Sequence, residues 1–426
     1  MTFNLETLEN RKNRVAQALS TVLGNEDLVL VYSGEPIQKS GGFDQTYDFL
    51  PHPEYFWLTG SRRPYGVSAY SKKEGWVDFA LLVNRDEKIW EGGRESVAGL
   101  PIEDLEKWIE KRKPQKIFQL GLPKKQLSNT SAEELAVIQE TFSQVRRIKD
   151  QAEVDLIKNI SLMANFGYKK LKTFIRPGVT ERDIQLEYEF EVLKNGAHKM
   201  PYGSIVGAGS NAAILHAVPT SRVVKSGDLI LIDAGADVDD YCVDITRVFS
   251  ADGKFSSEQN TIINLVKDAQ RSSIELCRPG VEWRDVHLAS AKVMAQGLKD
   301  MGILNISAEE AMSTGAISVF FPHGVGHMVG LRVRDVGGPP NPNPKKYAGA
   351  RLRVDMKLQQ GHLMTVEPGL YFIEALLNDA ETRQTFGDQI NWNEALKWRE
   401  FGGVRIEDDI LVTTKGPQNL TEVVEK

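Results

Sequence analysis

Two aspartates stand in the two arms of one apolar hairpin. The stretch LILIDAGADVDDYCVDIT, residues 229–246, runs as a strand into Asp233, turns at DVDD and returns with Asp244 in its middle. A turn centred between Val238 and Asp239 sets the two carboxylates directly opposite, with Cβ atoms about 4.5–5.5 Å apart. Like charges at that separation repel, and burying them unpartnered costs on the order of several kcal/mol each. A one-residue slip that exposed one of them would also turn the apolar residues outward. A cation between the carboxylates removes the conflict. Two further acids sit in apolar strand-like runs, Glu367 in TVEPG and Glu407 in VRIEDDILV. A single acid in a strand most often faces water, so each alone says little. Together the four carry the charge that two divalent cations neutralise. Ions roughly 3.5–4 Å apart activate a shared water for hydrolysis. Oxygen-rich ligation favours manganese, with cobalt or zinc able to bind.

The histidines that could join such a site lie in FFPHGVGHMVG, at His323 and His327. Their spacing would suit one face of a helix, but Pro322, Gly324 and Gly326 argue against a helix. The glycines point to backbone packed closely around a site. The residues alone leave open which of the two is a ligand.

These side chains need elements to bring them together. RPGVTERDI at 176–184 returns as RPGVEWRDV at 278–286, six of nine residues matching, each between two helical patterns. Pro-Gly after a helix is a common stop signal, but this degree of match in the same context reads as duplication. Strands follow the second helix in each half. One set carries Asp233 and Asp244, the other Glu367 and Glu407, so halves packed about a pseudo-two-fold axis bring the acids to its centre. Upstream, Leu8, Val15, Leu19 and Val22 recur at helical spacing. The runs 28–32, 78–83 and 116–121 read as strands, and IEDLEKWIEKRK reads as an amphipathic helix. The charged stretch 146–159 reads as a linker leading into a new helix. The expected division is therefore an α/β domain over 1–148 and an α+β domain over 149–426.

Composition narrows the classes. The 426 residues are 41% hydrophobic and 26% charged with a net charge of −6, the profile of a globular protein. No basic block invites nucleic acid, and no run approaches the length of a membrane span. The start shows no apolar secretory segment. Cys242 and Cys277 make neither a metal-ligand spacing nor a disulfide framework. A cytoplasmic location is the expectation.

The ordered set GAGSNAAILHAVP, DLILIDAGADVDDYCVDITRVF, PGVEWRDVH, FFPHGVGHMVGLRVRDVGG, LQQGHLMTVEPGLYFI and FGGVRIEDDILV resembles the pita-bread metallopeptidases. That family includes methionine aminopeptidases and the proline-specific peptidases. The nearest likeness is to Xaa-Pro dipeptidase (prolidase), then to Xaa-Pro aminopeptidase. The N-terminal likeness is looser, chiefly FDQTYDFLPHPEYFWLTG. The resemblance implies a duplicated α+β pita-bread catalytic domain behind a smaller α/β domain that shapes the mouth of the site and a homodimer contact. It implies five metal ligands: Asp233 on one ion, Asp244 and Glu407 bridging, His327 and Glu367 on the other. It gives Glu367 a proton shuttle as well. His216 would hold the substrate and developing charge, and His323 would orient the site. Arg353 stands where prolidases bind the substrate carboxylate, and Arg405 has a mixed role between substrate and metal-site acids. One departure stands out. The family usually carries a histidine in a VHD triplet, and here VRD places Arg334 at that position. Arginine stays charged near neutral pH and cannot cycle a proton, so altered substrate choice or slower turnover is expected.

The leading expectation is dinuclear-metal hydrolysis of the Xaa-Pro bond in dipeptides, with Xaa-Pro aminopeptidase action on longer peptides as the alternative. A binding protein on a retired peptidase fold would have lost ligands, and this chain has lost none. Promiscuous phosphotriester hydrolysis is permitted by such a site but nothing in the sequence requires it.

Overall fold

The computed structural model of the chain describes residues 2–90, 92, 99–338 and 344–425. The chain divides into two units, Met1–Arg146 and Arg147–Lys426.

The first unit is built on a five-stranded sheet. In chain order its strands are β1 (Leu28–Tyr32), β2 (Val67–Ser71), β3 (Gly75–Ala80), β4 (Leu100–Pro101) and β5 (Ile117–Leu120). They lie side by side in the order β4-β3-β2-β1-β5. Leu28, Leu30, Val67, Ala69 and Phe79 form its core with Leu105 and Ile109. The expected helix near the start spans Leu5–Leu19 and buries Leu8, Val15 and Leu19, while Val22 lies beyond its end and is exposed. The strand expected at 78–83 sits earlier, as β3, and β2 was not anticipated at all. The amphipathic segment opens with a 3-10 turn, Ile102–Asp104, before its helix Leu105–Arg112.

The second unit shows the repeat in its hydrogen bonds. Helix Gln151–Phe174 starts at a capping box made by Asp150 and Glu153, so most of the charged stretch 146–159 is helix rather than linker. It packs against helix Glu181–Lys194. Helices Ser257–Glu275 and Trp283–Asp300 pair in the same way. The Pro-Gly turn between each pair needs a left-handed glycine, Gly178 at φ 99° and Gly280 at φ 91°. Each turn then docks on a returning extended segment by equivalent bonds. Gly178 donates to Val224 and Val224 to Val179. Gly280 donates to Leu358 and Leu358 to Val281.

Each half then contributes a sheet. The first is β6 (Ile205–Ala208), β7 (Leu229–Asp233) and β10 (Thr246–Ser250) in the order β10-β7-β6. Between β7 and β10 the hairpin continues as β8 (Ala236–Val238) and β9 (Tyr241–Val243). The second sheet joins β11 (Leu363–Val366), β14 (Asp408–Leu411) and β15 (Gln418–Asn419), with β12 (Gly369–Tyr371) pairing β13 (Gly403–Arg405) alongside. A bridge between Thr246 and Glu407 links the halves. Ile205, Leu229 and Leu231 of the first half belong to one core with Trp283, Phe320 and Val366 of the second.

Hairpin register is where the structure departs from the expectation. The turn centres between Asp239 and Asp240, both left-handed at φ 52° and 69°, the pattern of a type I′ turn. Val238 therefore pairs with Tyr241, and Asp233 pairs with Thr246 rather than with Asp244. Asp244 falls opposite Gly235. The two aspartates are diagonal neighbours on one face, which separates their carboxylates more than direct opposition would.

Candidate metal centre

Every side chain proposed from the sequence lines one cleft of about 670 Å³ in the second unit: Asp233, Asp244, His327, Glu367 and Glu407, with His216, His323, Arg334, Arg353 and Arg405. Their elements come from both halves. Asp233 ends β7 and Asp244 precedes β10. Glu367 follows β11, and Glu407 lies between β13 and β14. His327 lies outside any helix or strand, and the next residue, Met328, bridges Met364 of β11. No helix spans His323 and His327. Gly326 lets this segment lie against β11, because a Cβ there would collide with the Thr365 carbonyl.

Asp244, His327 and Glu407 each offer a ligand atom, and these atoms lie within 4.8 Å of one another. Asp233 and Glu367 flank this trio. The His327 Nε2 is 3.5 Å from an Asp244 oxygen and 3.7 Å from a Glu367 oxygen. Its Nδ1 donates to the Met328 carbonyl at 3.0 Å, which leaves Nε2 as the metal-facing nitrogen. Tyr202 places its hydroxyl 2.7 Å from Asp233 and 2.5 Å from Asp244, between the two carboxylates.

Electrostatics fit a divalent-cation site. Burial, then the repulsion of Asp244, push the Asp233 carboxyl up to about 7 against the pull of Arg405. Burial and neighbouring carboxylates also raise Glu407 and Glu367. Asp244 is held down despite its burial, because His327 hydrogen-bonds it and attracts its charge. Arg405 contacts only Asp233 among these acids, at 2.6 Å. Three buried acids and a partly buried fourth, with one imidazole and one such guanidinium, are short of positive charge, and oxygen donors with one nitrogen suit a hard or borderline divalent ion.

The surrounding residues divide by what they touch. Arg405 is committed to the protein: Nη2 to Asp233, Nη1 to the Tyr371 hydroxyl at 2.8 Å and Nε to the Thr246 hydroxyl at 3.1 Å. Thr246 in turn donates to Glu407 at 2.6 Å. One acid and two hydroxyls thus accept from the three Arg405 nitrogens, which is the acid-pairing half of the mixed role expected for it. His323 donates from Nδ1 to Gly324 and accepts at Nε2 from Tyr371, both at 2.9 Å. Burial and Arg405 push it down to about 3, so it is a neutral orienting group. His216 sits exposed at the mouth, lowered by partial burial and by Arg405, Arg334 and Arg353. Tyr202, Thr246 and Tyr371 were not anticipated. Only the short motif spacing around Asp233 and Glu367 could have drawn attention to the last two.

Residues 155–414 match the model of metallopeptidase family M24, and residues 8–102 match that of the aminopeptidase P N-terminal domain. A relative from Ajellomyces capsulatus (strain H143), named "Probable Xaa-Pro aminopeptidase PEPP", is 30% identical over 436 residues, covering 96% of this chain and 92% of the relative. One from Botryotinia fuckeliana, "Probable Xaa-Pro aminopeptidase pepP", is 34% identical over 291 residues, but that match covers 68% of this chain and only 64% of the relative. Among solved structures, the Pseudomonas aeruginosa aminopeptidase PepP is 27% identical with a TM-score of 0.77, covering 98% of this chain and 96% of that one. Aminopeptidase P from E. coli with the inhibitor Pro-Leu shares the fold at a TM-score of 0.80 and 23% identity, covering 100% of this chain and 96% of that one. The likeness is thus to aminopeptidase P rather than to the prolidases that the sequence motifs brought forward. With its helix pairs, its two acid-bearing sheets and a matching catalytic region behind the aminopeptidase P N-terminal domain, the chain belongs to metallopeptidase family M24.

Proposed function

We propose that the protein is a metal-dependent Xaa-Pro aminopeptidase, which removes the first residue of peptides whose second residue is proline. The observation that carries this reading is the convergence of Asp233, Asp244, His327, Glu367 and Glu407, from both halves, on one cleft. The names of the relatives favour this reading over the dipeptidase one.

The five side chains would hold two divalent cations, with manganese the choice that the oxygen-rich donor set favours. When bound, such ions supply Lewis-acid polarisation of the scissile carbonyl and make water acidic enough to react near neutral pH. The rest falls to the chain's own groups. Glu367 is partly buried on the cleft wall and its affinity for a proton is raised, so it can take a proton from the attacking water and pass it to the leaving proline nitrogen. His216 is exposed at the cleft and its proton affinity is lowered. In its neutral form it can give one hydrogen bond to the substrate carbonyl as negative charge develops. His323, Tyr371 and Arg405 form a chain of hydrogen bonds that fixes Asp233.

The test is product analysis of Ala-Pro and Ala-Pro-Ala, after chelation and then with added manganese. Manganese-dependent release of alanine from the tripeptide, faster than from the dipeptide, is expected. Cleavage of the dipeptide alone would return the assignment to a dipeptidase, and cleavage of neither would overturn it.

A further inference from the structure

Two of the arginines around the cleft have no protein partner among the described residues. Arg405 is bonded to Asp233, Tyr371 and Thr246, and Arg332 lies 3.7 Å from Asp240. Arg334 and Arg353 also line the cleft, yet neither makes a hydrogen bond or ion pair with any described residue. Both line the same cleft, and burial and then the Arg334 charge push Arg353 below the usual arginine value. Both also bear on His216. Two unpaired guanidiniums brought together in a cleft repel each other, and the arrangement is eased when an anion sits between them.

Guanidinium forks match a carboxylate in shape and charge, each able to give it two parallel hydrogen bonds. Direction follows from the substrate's own charges. The free ammonium of a peptide is repelled by the two arginines and attracted by the acids of the metal centre. The carboxylate-bearing end, on the leaving-group side of the scissile bond, is drawn to the arginines. The histidine that the family likeness leads one to expect at position 334 has an ordinary pKa near 6.5. It would be mostly neutral at pH 7, whereas Arg334 is always charged.

We infer that Arg334 joins Arg353 in a carboxylate clamp, so that the enzyme prefers Xaa-Pro peptides with a carboxylate close behind the proline. This rests on the Xaa-Pro peptidase reading and names its substrate class. The carboxylate has two sources, the chain end of a short peptide or an acidic side chain directly after proline.

Four peptides separate the sources: Ala-Pro-Gly against its C-terminal amide, and Ala-Pro-Glu-amide against Ala-Pro-Gln-amide, each with the full chain and manganese. A kcat/KM ratio of about tenfold is expected for one pair or both. The first pair identifies the chain end and the second the side chain. In Arg334→Gln the ratio should fall toward one, and in Arg334→Lys it should be intermediate because the charge remains and the fork is lost. Raising the salt should shrink the wild-type ratio, since exposed charges are screened. Ratios near one in the wild type, or ratios that persist in Arg334→Gln, overturn the clamp. If none of the four peptides is cut, the peptidase reading fails and the clamp is still decided by calorimetry. Pro-Gly should then bind about tenfold tighter than Pro-Gly-amide, with the difference lost in Arg334→Gln, and equal binding would overturn it.

Discussion

At the scale of single residues, the site is a set of acids placed where acids are uncomfortable. Asp233 is raised to about 7 by burial and by Asp244, and Glu367 and Glu407 are raised by the same causes. An acid whose pKa is higher folded than unfolded contributes stability that is complete below its unfolded value, about 4. That contribution is lost as pH rises through the folded value. The chelated protein should therefore lose stability between about pH 4 and pH 8 on account of these groups. Buried histidines act in the opposite sense. His287 and His362 are depressed to about 4, chiefly by burial. Their stability is present above the unfolded histidine value and lost as pH falls toward about 4. Those histidines are not candidate ligands, so they cancel when chelated and metal-loaded protein are compared at one pH. Cations replace the protons that the acids would otherwise retain. The gap in Tm between loaded and chelated protein should then widen from about pH 5.5 to about pH 8, as followed by scanning calorimetry. A gap that stays constant would remove these carboxylates as the metal ligands.

At the scale of elements, one buried carboxylate organises the loop that carries His216. Glu181 opens helix Glu181–Lys194 and is fully buried. It accepts from the Ala208 amide at 2.9 Å, the Asn211 side chain at 2.9 Å, the Thr220 amide at 3.1 Å and the Thr220 hydroxyl at 2.6 Å. Both ends of the 208–220 segment are thus tied to one side chain, with His216 between them. Glu181→Gln keeps the shape but sets an NH2 group against these donors. A buried donor left unpaired costs about 1–3 kcal/mol. The variant should lose on the order of 2 kcal/mol of stability. Its Thr220 amide should exchange with solvent faster, and its kcat/KM should fall through a loosened His216. Unchanged exchange at Thr220 would show that Glu181 does not hold the loop. Elements also show how far the sequence can be read. The paired Pro-Gly turns and the acid-bearing strands were legible because backbone conformation and burial write themselves into residue type at short range. The hairpin register was not, because DVDD allows two turn centres. The adjacent aspartates that tolerate left-handed backbone at both central positions were the available signal. Tyr202, Thr246 and Tyr371 reach the acids through tertiary folding, and a hydroxyl in an apolar context carries no periodicity of its own.

At the scale of the whole molecule, the two units differ in what they supply. The first has its own sheet and its own small core of Leu28, Leu30, Val67, Ala69, Phe79, Leu105 and Ile109. The second contains every candidate ligand, the cleft and the continuous core shared by the duplicated halves. Contacts within this unit also hold its start. Lys149 pairs with Asp335 at 2.6 Å with both side chains almost fully buried, and the Arg147 guanidinium donates to the Gly337 carbonyl. Asp150 caps the helix that follows. Neither contact needs residues before 147, so a fragment of residues 147–426 should fold and bind divalent metal. Calorimetric titration with manganese should give an affinity within about tenfold of the full chain, because all five donors and the groups that orient them are retained. Tm should again rise on loading. A fragment that folds, by circular dichroism, but takes up no metal would mean that the first unit is needed to organise the acids. That outcome would contradict a site built wholly from the two halves. The converse fragment, residues 1–146, has no such cluster of acids and histidine among its described residues, and it should show no saturable uptake under the same conditions.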